Sequence, residues 1–318
     1  MKFGILKRLA TVCLALALAV GVAGCSENNE KQTINIATGS TSGTYYPIGV
    51  AMAELITKDV FNVESNAQST GASVANINML KDGNVNMAIV QNDIAYYAIN
   101  GTDMFDKKVD DLRGIASLYP ETCQFVTFES SGIRTINDLR GKKVVVGAQG
   151  SGVEANVRQI LKAYNITYDD IDEQFLSFAE GANALKDGTA EVLCLTAGYP
   201  TVSVQDVAKQ KPIYIIPLDE DKITALTIDY PFYTKTVIPA GTYAGIDKDI
   251  PTVSVMAILV TTDKIDDKTG GDVTKAIFNN LGKLSEAHPV AKQITKERAL
   301  AGMGFIKMNG GAEKFLKE

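Results

Sequence analysis

INMLKDGNVNMAIVQND, residues 77–93, returns along the chain as ANALKDGTAEVLCLTAG, residues 182–198. Each copy ends a helical pattern on Leu-Lys-Asp-Gly, at 80–83 and 185–188, and passes directly into an apolar run. Gly83 and Gly188 suit the left-handed residue that closes a helix, and the lysine complements the negative end of the helix dipole. A second echo lies upstream of each copy. ATGSTSGTYYPIGVAMAELI (37–56) and VVVGAQGSGVEANVRQILKAY (144–164) both read strand, Gly-rich turn, helix. A unit that recurs in this way points to a duplicated fold element.

Further strand-like runs lie at 33–38, 85–91, 124–129, 142–148, 190–196, 212–218 and 252–262. Helical spacing appears at 47–58, 72–81, 153–164, 179–186, 272–287 and 290–300. Strands that alternate with helices predict an α/β chain with mostly parallel sheets covered on both faces. Two such lobes fit the length. The first is expected over 33–129 and again from 251–318, the second over 130–250, with hinges near 129–131 and 248–252. In open α/β sheets, ligands bind beyond the carboxyl ends of the strands. The turns 38–46, 91–96, 149–154 and 196–201 then face a shared cleft, with QSTGAS (68–73) as a fifth.

The N-terminus carries an address. Lys2, Lys7 and Arg8 precede an apolar stretch, Leu9 to Val22, that is short for a membrane span. It ends in Val22-Ala23-Gly24-Cys25 and then polar SENNEKQ. Residues 1–24 read as a secretory signal peptide, and a Cys behind small residues is the lipoprotein pattern. Cys25 is then the lipidated N-terminus, residues 25–32 are a tether, and the body is held at the extracytoplasmic face of a membrane. An ordinary signal peptide with a chance Cys is the alternative. Without residues 1–24, 28 basic side chains face 37 acidic ones, a net charge of −9 with no basic run. That composition argues against a nucleic-acid partner. Cys123 and Cys194 remain as a pair that an exported protein could join or leave as buried thiols.

The motifs of catalysis are each incomplete. Gly39 and Gly43 lead to Thr44-Tyr45 with no lysine, so no Walker loop forms. GAQGSG (147–152) spaces its glycines wrongly for a dinucleotide fingerprint. A nucleophile elbow at 39–43 would have Thr41 where serine belongs. His288, the single histidine, reads as a solvated residue without triad or zinc partners. The acid-rich DIDEQ (170–174) and DEDK (219–222) lack the spacing of a calcium loop. No catalytic residue, metal or cofactor is expected.

What remains is binding. The turns offer backbone N–H groups at helix starts, which accept a carboxylate. No Lys or Arg lies within the five turns, although Arg158 follows closely. Asp93 or Glu154 could neutralise an ammonium group. A zwitterionic amino acid therefore fits better than a simple dicarboxylate.

The chain also resembles the TAXI-type solute receptors of TRAP transporters. The resemblance is carried by TGSTSGTYYPIG (38–49), STGASVANINMLKDGNVNMAIVQND (69–93), IASLYPE (115–121), GKKVVVGAQGSG (141–152), LSFAEGANALKDG (176–188), AGYPT (197–201) and IPAGTYAGIDKDIPTVSV (238–255). It implies an α/β, two-lobed periplasmic-binding-protein fold, type II-like, with the ligand cleft between hinged lobes. It implies a monomer that hands glutamate, glutamine or a related acid to a TRAP permease in the membrane. A lipoprotein of an ABC importer, or an exported enzyme on the same fold, is the alternative. The ligand-facing residues expected in the first lobe are Gly39, Ser40, Thr41, Gly43, Thr44, Tyr45, Tyr46, Gly71, Ala72, Ser73, Gln91 and Asp93. In the second they are Gly150, Ser151, Gly152, Ala197, Gly198 and Tyr199. Thr44, Ser73 and Ser151 could instead only cap helices, and Tyr46 and Tyr199 could be structural. Ser40 and Ser42 interrupt a turn richer in glycine in the family, and Val153 stands where the family often has threonine.

Overall fold

The computed structural model describes residues 31–318. The signal segment, Cys25 and most of the tether lie outside the described residues.

The elements in chain order are β1 (Gln32–Ala37), α1 (Tyr45–Asp59), β2 (Val63–Gln68), α2 (Ser73–Lys81), β3 (Met87–Gln91), α3 (Asn92–Asn100), β4 (Leu112–Phe128), β5 (Lys143–Val145), α4 (Gly152–Ala163), β6 (Asp172–Gln174), α5 (Phe178–Asp187), β7 (Val192–Ala197), α6 (Val202–Gln210), β8 (Ile213–Ile215), α7 (Glu220–Asp229), β9 (Thr234–Ile238), β10 (Ile250–Thr262), α8 (Asp267–Phe278), α9 (Leu281–Ala287) and α10 (Gly310–Lys317). One sheet runs in the order β2-β1-β3-β10-β4-β7-β5-β6, with β8 beside β4 and β9 beside β10.

The repeated grammar is real geometry. Helix α1 buries Ile48, Met52, Leu55 and Ile56, a stripe at i, i+4, i+7 and i+8. Helix α4 buries Val153, Val157, Ile160 and Leu161 at the same spacing. Gly83 and Gly188 both hold positive φ, +76° and +75°, as their helices end. Strand β1 pairs parallel with β3, and β5 with β7.

Successive residues of the inner strands face different cores. In β3, Met87 and Ile89 enter one cluster while Val90 enters another, and in β7 Val192 and Cys194 part from Leu193 and Leu195 in the same way. Both sheet faces are therefore covered, as a helix-flanked sheet requires.

The lobe boundaries sit deeper than the sequence suggests. Along β4, Ile115, Ala116, Leu118 and Tyr119 belong to the first lobe's core, and Cys123 and Phe125 to the second's. Along β10 the change runs the other way, from Val253 and Val255 to Ala257 and Leu259. Glu129, expected at a hinge, bonds its N–H to Pro212 O within the second lobe. Residues 250–252, expected at the return hinge, pair with β9. Glu121 and Thr122 interrupt the apolar pattern, so the sequence shows only the last five residues, 124–128, of a 17-residue strand.

Other expectations also change. The sheet is mixed: β10 runs antiparallel to β3, β4 and β9, and β4 antiparallel to β7 and β8. The helix expected over 272–287 breaks between α8 and α9. The one expected over 290–300 is replaced by 3₁₀ turns at Pro289–Gln293 and Lys296–Arg298, which still bury Val290, Ala291 and Ala299. Helices α3, α6, α7 and α10 had no counterpart in the sequence reading.

The buried leucines of the two copies test the duplication. Leu80→Ala and Leu185→Ala should each lower the unfolding free energy by about 2–5 kcal/mol in urea denaturation. A loss under about 1 kcal/mol at either would show that its copy is not a core element.

Candidate functional site

The turns knit together before they meet any ligand. Asn76, buried in α2, donates its amide to Thr38 O (2.7 Å) and Ile89 O (2.8 Å), fixing α2 against the ends of β1 and β3. Ser69 Oγ donates to Gly39 O, and Thr70 Oγ1 to Thr38 O. Between them Ala72 holds φ +68° and ψ −149°, a conformation that favours glycine. Such a residue costs about 1–3 kcal/mol and persists only where its surroundings over-determine it.

A partly open cavity lies between the lobes, about 530 Å3 of space counting the solvent at its mouth. Gly39, Ser40, Gly43, Thr44, Tyr45, Gly71, Ala72, Ser73 and Gln91 line it from the first lobe, and Ser151, Gly152 and Ala197 from the second. All were expected from sequence. Four helices begin at this wall. Thr44 precedes α1, Ala72 precedes α2, Ser151 precedes α4 and Ser177 precedes α5.

The capping alternatives resolve separately. Ser151 does cap α4, accepting from Glu154 N at 3.2 Å. Thr44 makes no cap; its hydroxyl donates across the lobes to Gly198 O at 3.2 Å. Ser73 Oγ accepts from Gln91 N at 3.1 Å, so it ties α2 to the end of β3.

Several expected residues stand elsewhere. Thr41 is exposed and Tyr46 half-buried, both outside the lining. Gly150 (φ +74°) and Gly198 act through carbonyls that bridge the lobes, Gly150 O accepting from Ala75 N at 3.2 Å. Tyr199 reaches Val237 O at 3.4 Å, outside the lining.

Asp93 turns away from the cavity and accepts from Asn156 of α4 at 2.9 Å, which bonds Tyr233 in turn. Glu154 is taken by Tyr168 OH (2.8 Å) and by Arg158 Nε (3.2 Å), and Arg158 also reaches Asp103 at 3.0 Å. Neither acid is left to meet a ligand. His288 is buried rather than solvated; its Nδ1 accepts from Val290 N, and burial lowers its pKa against the pull of the Pro200 carbonyl. Cys123 and Cys194 are free buried thiols, with burial pushing Cys123 up to about 12.

Thr70, Val153 and Thr196 also line the cavity, inside the expected turns but not singled out there, whereas Glu121, Ala148, Ser177 and Phe178 lay outside those turns and were missed. Aligning Leu80–Gly83 on Leu185–Gly188 places Gln91 opposite Thr196, so the duplication itself pointed to Thr196. Glu121 gave no such signal, because it lies where β4 breaks the apolar pattern. It is buried, its Oε2 accepts from Tyr45 OH at 2.6 Å, and burial holds its carboxyl well above the usual range.

Chemically, the wall supplies hydroxyls, amide dipoles and the Glu121 carboxyl. Among the described residues no Lys, Arg, His or Cys lines it. The lobes are in contact behind it through Asp93–Asn156, Gln159–Tyr97 (3.0 Å) and the Tyr96 and Phe232 rings, tilted by 51° with centroids 4.7 Å apart.

The NMT1-like family profile matches residues 36–318, from β1 to the last residue. The chain belongs to the NMT1-like family. This NMT1-like chain is also similar in structure to proteins of low sequence identity. A putative L-cystine ABC transporter protein from Listeria monocytogenes is 14% identical, covers 84% of this chain and 99% of its own, and gives a TM-score of 0.53. A protein from Bordetella bronchiseptica RB50 is 16% identical, with 91% and 89% covered and a TM-score of 0.55. A structure from a study of glutathione import by GshT and the cystine importer TcyBC in Streptococcus mutans is 14% identical, with 82% and 95% covered and a TM-score of 0.50. At these identities the likeness is one of fold: the NMT1-like chain has the two-lobed α/β architecture of periplasmic solute-binding proteins.

Two predictions follow from this geometry. A β-carbon on Gly152 would stand 1.9 Å from Gln91 Oε1. Gly152→Ala should therefore displace the Gln91 amide and weaken ligand binding at least tenfold with little change in melting temperature, measured by calorimetry and thermal denaturation. Burial raises the Asp93 carboxyl from 3.8 to about 7. The folded protein then keeps a proton that the unfolded chain releases near pH 4. This group's stabilisation is full below about pH 4 and is lost as pH rises through 7. Asp93→Asn should flatten that part of the stability profile.

Proposed function

We propose that this protein is the extracytoplasmic solute-binding receptor of a transporter. It captures a small carboxylated solute, an amino acid such as glutamate or glutamine, between its lobes and delivers it to a membrane permease. The observation that carries this reading is the convergence of four helix N-termini, two from each lobe, on one cavity that no Lys or Arg lines among the described residues. Such termini hold a carboxylate by backbone N–H groups and dipoles alone. Because both lobes supply them, a bound anion favours the state in which the lobes touch.

Two permease classes fit. The names of the Listeria and Streptococcus neighbours, both of ABC importers, favour an ABC permease. The motifs from TGSTSGTYYPIG to IPAGTYAGIDKDIPTVSV favour a TRAP permease. Uptake into vesicles holding the neighbouring permease separates them: demand for ATP supports the first, and demand for an ion gradient without ATP the second. Lipidation at Cys25 belongs to the same proposal, and Cys25→Ser should release the protein from the membrane fraction.

The receptor reading is tested by thermal denaturation against amino acids and organic acids. A ligand at about 100 times its Kd stabilises the folded form by about 2.7 kcal/mol, an upward shift of several degrees. No shift with any carboxylated solute would refute it, and turnover of a bound solute would replace it with an enzyme.

A further inference from the structure

Glu121 stands where β4 passes from one lobe to the other, opposite Val255 of β10. Its side chain lines the cavity although the residue is only 2% exposed. Tyr45 OH donates to Oε2 at 2.6 Å, and among the described residues no Lys, Arg or His forms an ion pair with it. A buried carboxyl with one hydrogen bond and no cation is costly unless a partner arrives.

A second buried acceptor belongs to a residue of the same wall and lies against Gly152. Gln91 also lines the cavity and is 2% exposed, and its Oε1 has no donor. Its backbone N–H is already committed to Ser73 Oγ, which fixes the residue at the end of β3. A buried amide oxygen left unpaired costs about 1–3 kcal/mol.

Two buried acceptors on one cavity call for a donor with several N–H groups and a positive charge. A primary ammonium has three such donors and no acceptor. We propose that Glu121 and Gln91 form the subsite for the ligand's ammonium group, with Tyr45 orienting the Glu121 carboxylate. This rests on the receptor reading above and deepens it. The ligand is then a zwitterion: its ammonium offsets the Glu121 carboxylate, and its own carboxylate meets the partial positive charge of the helix N-termini. A des-amino acid leaves Gln91 Oε1 unpaired and Glu121 with the Tyr45 bond alone, so the site rejects it by more than the loss of one contact. Burial raises the Glu121 carboxyl when the cavity is empty, and an ammonium beside it reverses that shift.

The test uses the purified protein and matched pairs of L-amino acids and their des-amino acids: glutamate with glutarate, aspartate with succinate, alanine with propionate, and so through the amino-acid set. Calorimetry should give the best amino acid at least a 100-fold advantage over its des-amino partner. Glu121→Gln should cut amino-acid affinity at least 100-fold and bring the pair within about tenfold. Tyr45→Phe, which keeps the carboxylate, should lower affinity less and preserve the preference. A wild-type protein that binds the des-amino acid within tenfold of the amino acid overturns the ammonium subsite and leaves the receptor reading standing. So does a folded Glu121→Gln variant with the wild-type preference. Binding of neither set overturns the receptor reading itself. The wild-type comparison decides the matter even if Glu121→Gln does not fold.

Discussion

Everything in this molecule hangs on one antiparallel ribbon. Strands β4 and β10 pair from Ser254 opposite Thr122 to Thr262 opposite Leu112. Each begins in one lobe's core and ends in the other's. Their backbone hydrogen bonds are satisfied by each other, so the passage between lobes needs no unpaired loop in the interior. The ribbon is also irregular, with register shifts between Ala257 and Ile258 and between Leu259 and Val260. Shifts of this kind bend and twist a strand locally. They lie just inside the first lobe, beside the point where the cores change over.

This ribbon explains what was legible in the sequence. The duplicated segments were readable because each is a closed local unit: strand, turn, helix, and a helix stop on glycine. Their residues define the cavity wall, and most of that wall could be named in advance. The ribbon was not readable as a unit. Its crossing portion, Pro120-Glu121-Thr122, interrupts the apolar pattern, and its long-range pairing sets partners more than a hundred residues apart. The helix expected at 290–300 failed for a related reason. Val290, Ala291 and Ala299 pack into the core from 3₁₀ turns, so burial was read correctly and geometry was not. The acids were misassigned because charge alone does not show which way a side chain faces. Asp93 and Glu154 carry it in the turns, yet other protein groups hold both.

The binding wall achieves polarity with few formal charges. Ser177 sits in a capping box with Glu180, and Ser151 caps α4 outright, so two helix starts of the second lobe are held by their own caps. In the first lobe the analogous hydroxyls look outward from their helices, Thr44 to Gly198 and Ser73 to Gln91. One lobe is thus braced internally, while the other uses its hydroxyls as ties to its surroundings. Phe178 completes the wall by lying over Gly43, its ring 3.2 Å from where a β-carbon would stand.

If the protein is the receptor proposed above, the close approach of Gln91 to Gly152 sets a limit on its cargo. The amide from one lobe occupies the space that any side chain on the first residue of α4 would need. The two surfaces can meet only over a solute compact enough to leave that seat vacant. A longer molecule that touched both lobes would hold the glutamine off the glycine, and the parting would extend to the Thr44–Gly198 and Ala75–Gly150 bridges beside it. On the proposed receptor function, the missing side chain at position 152 would then work as a gauge of length, screening solutes by whether the jaws can shut over them.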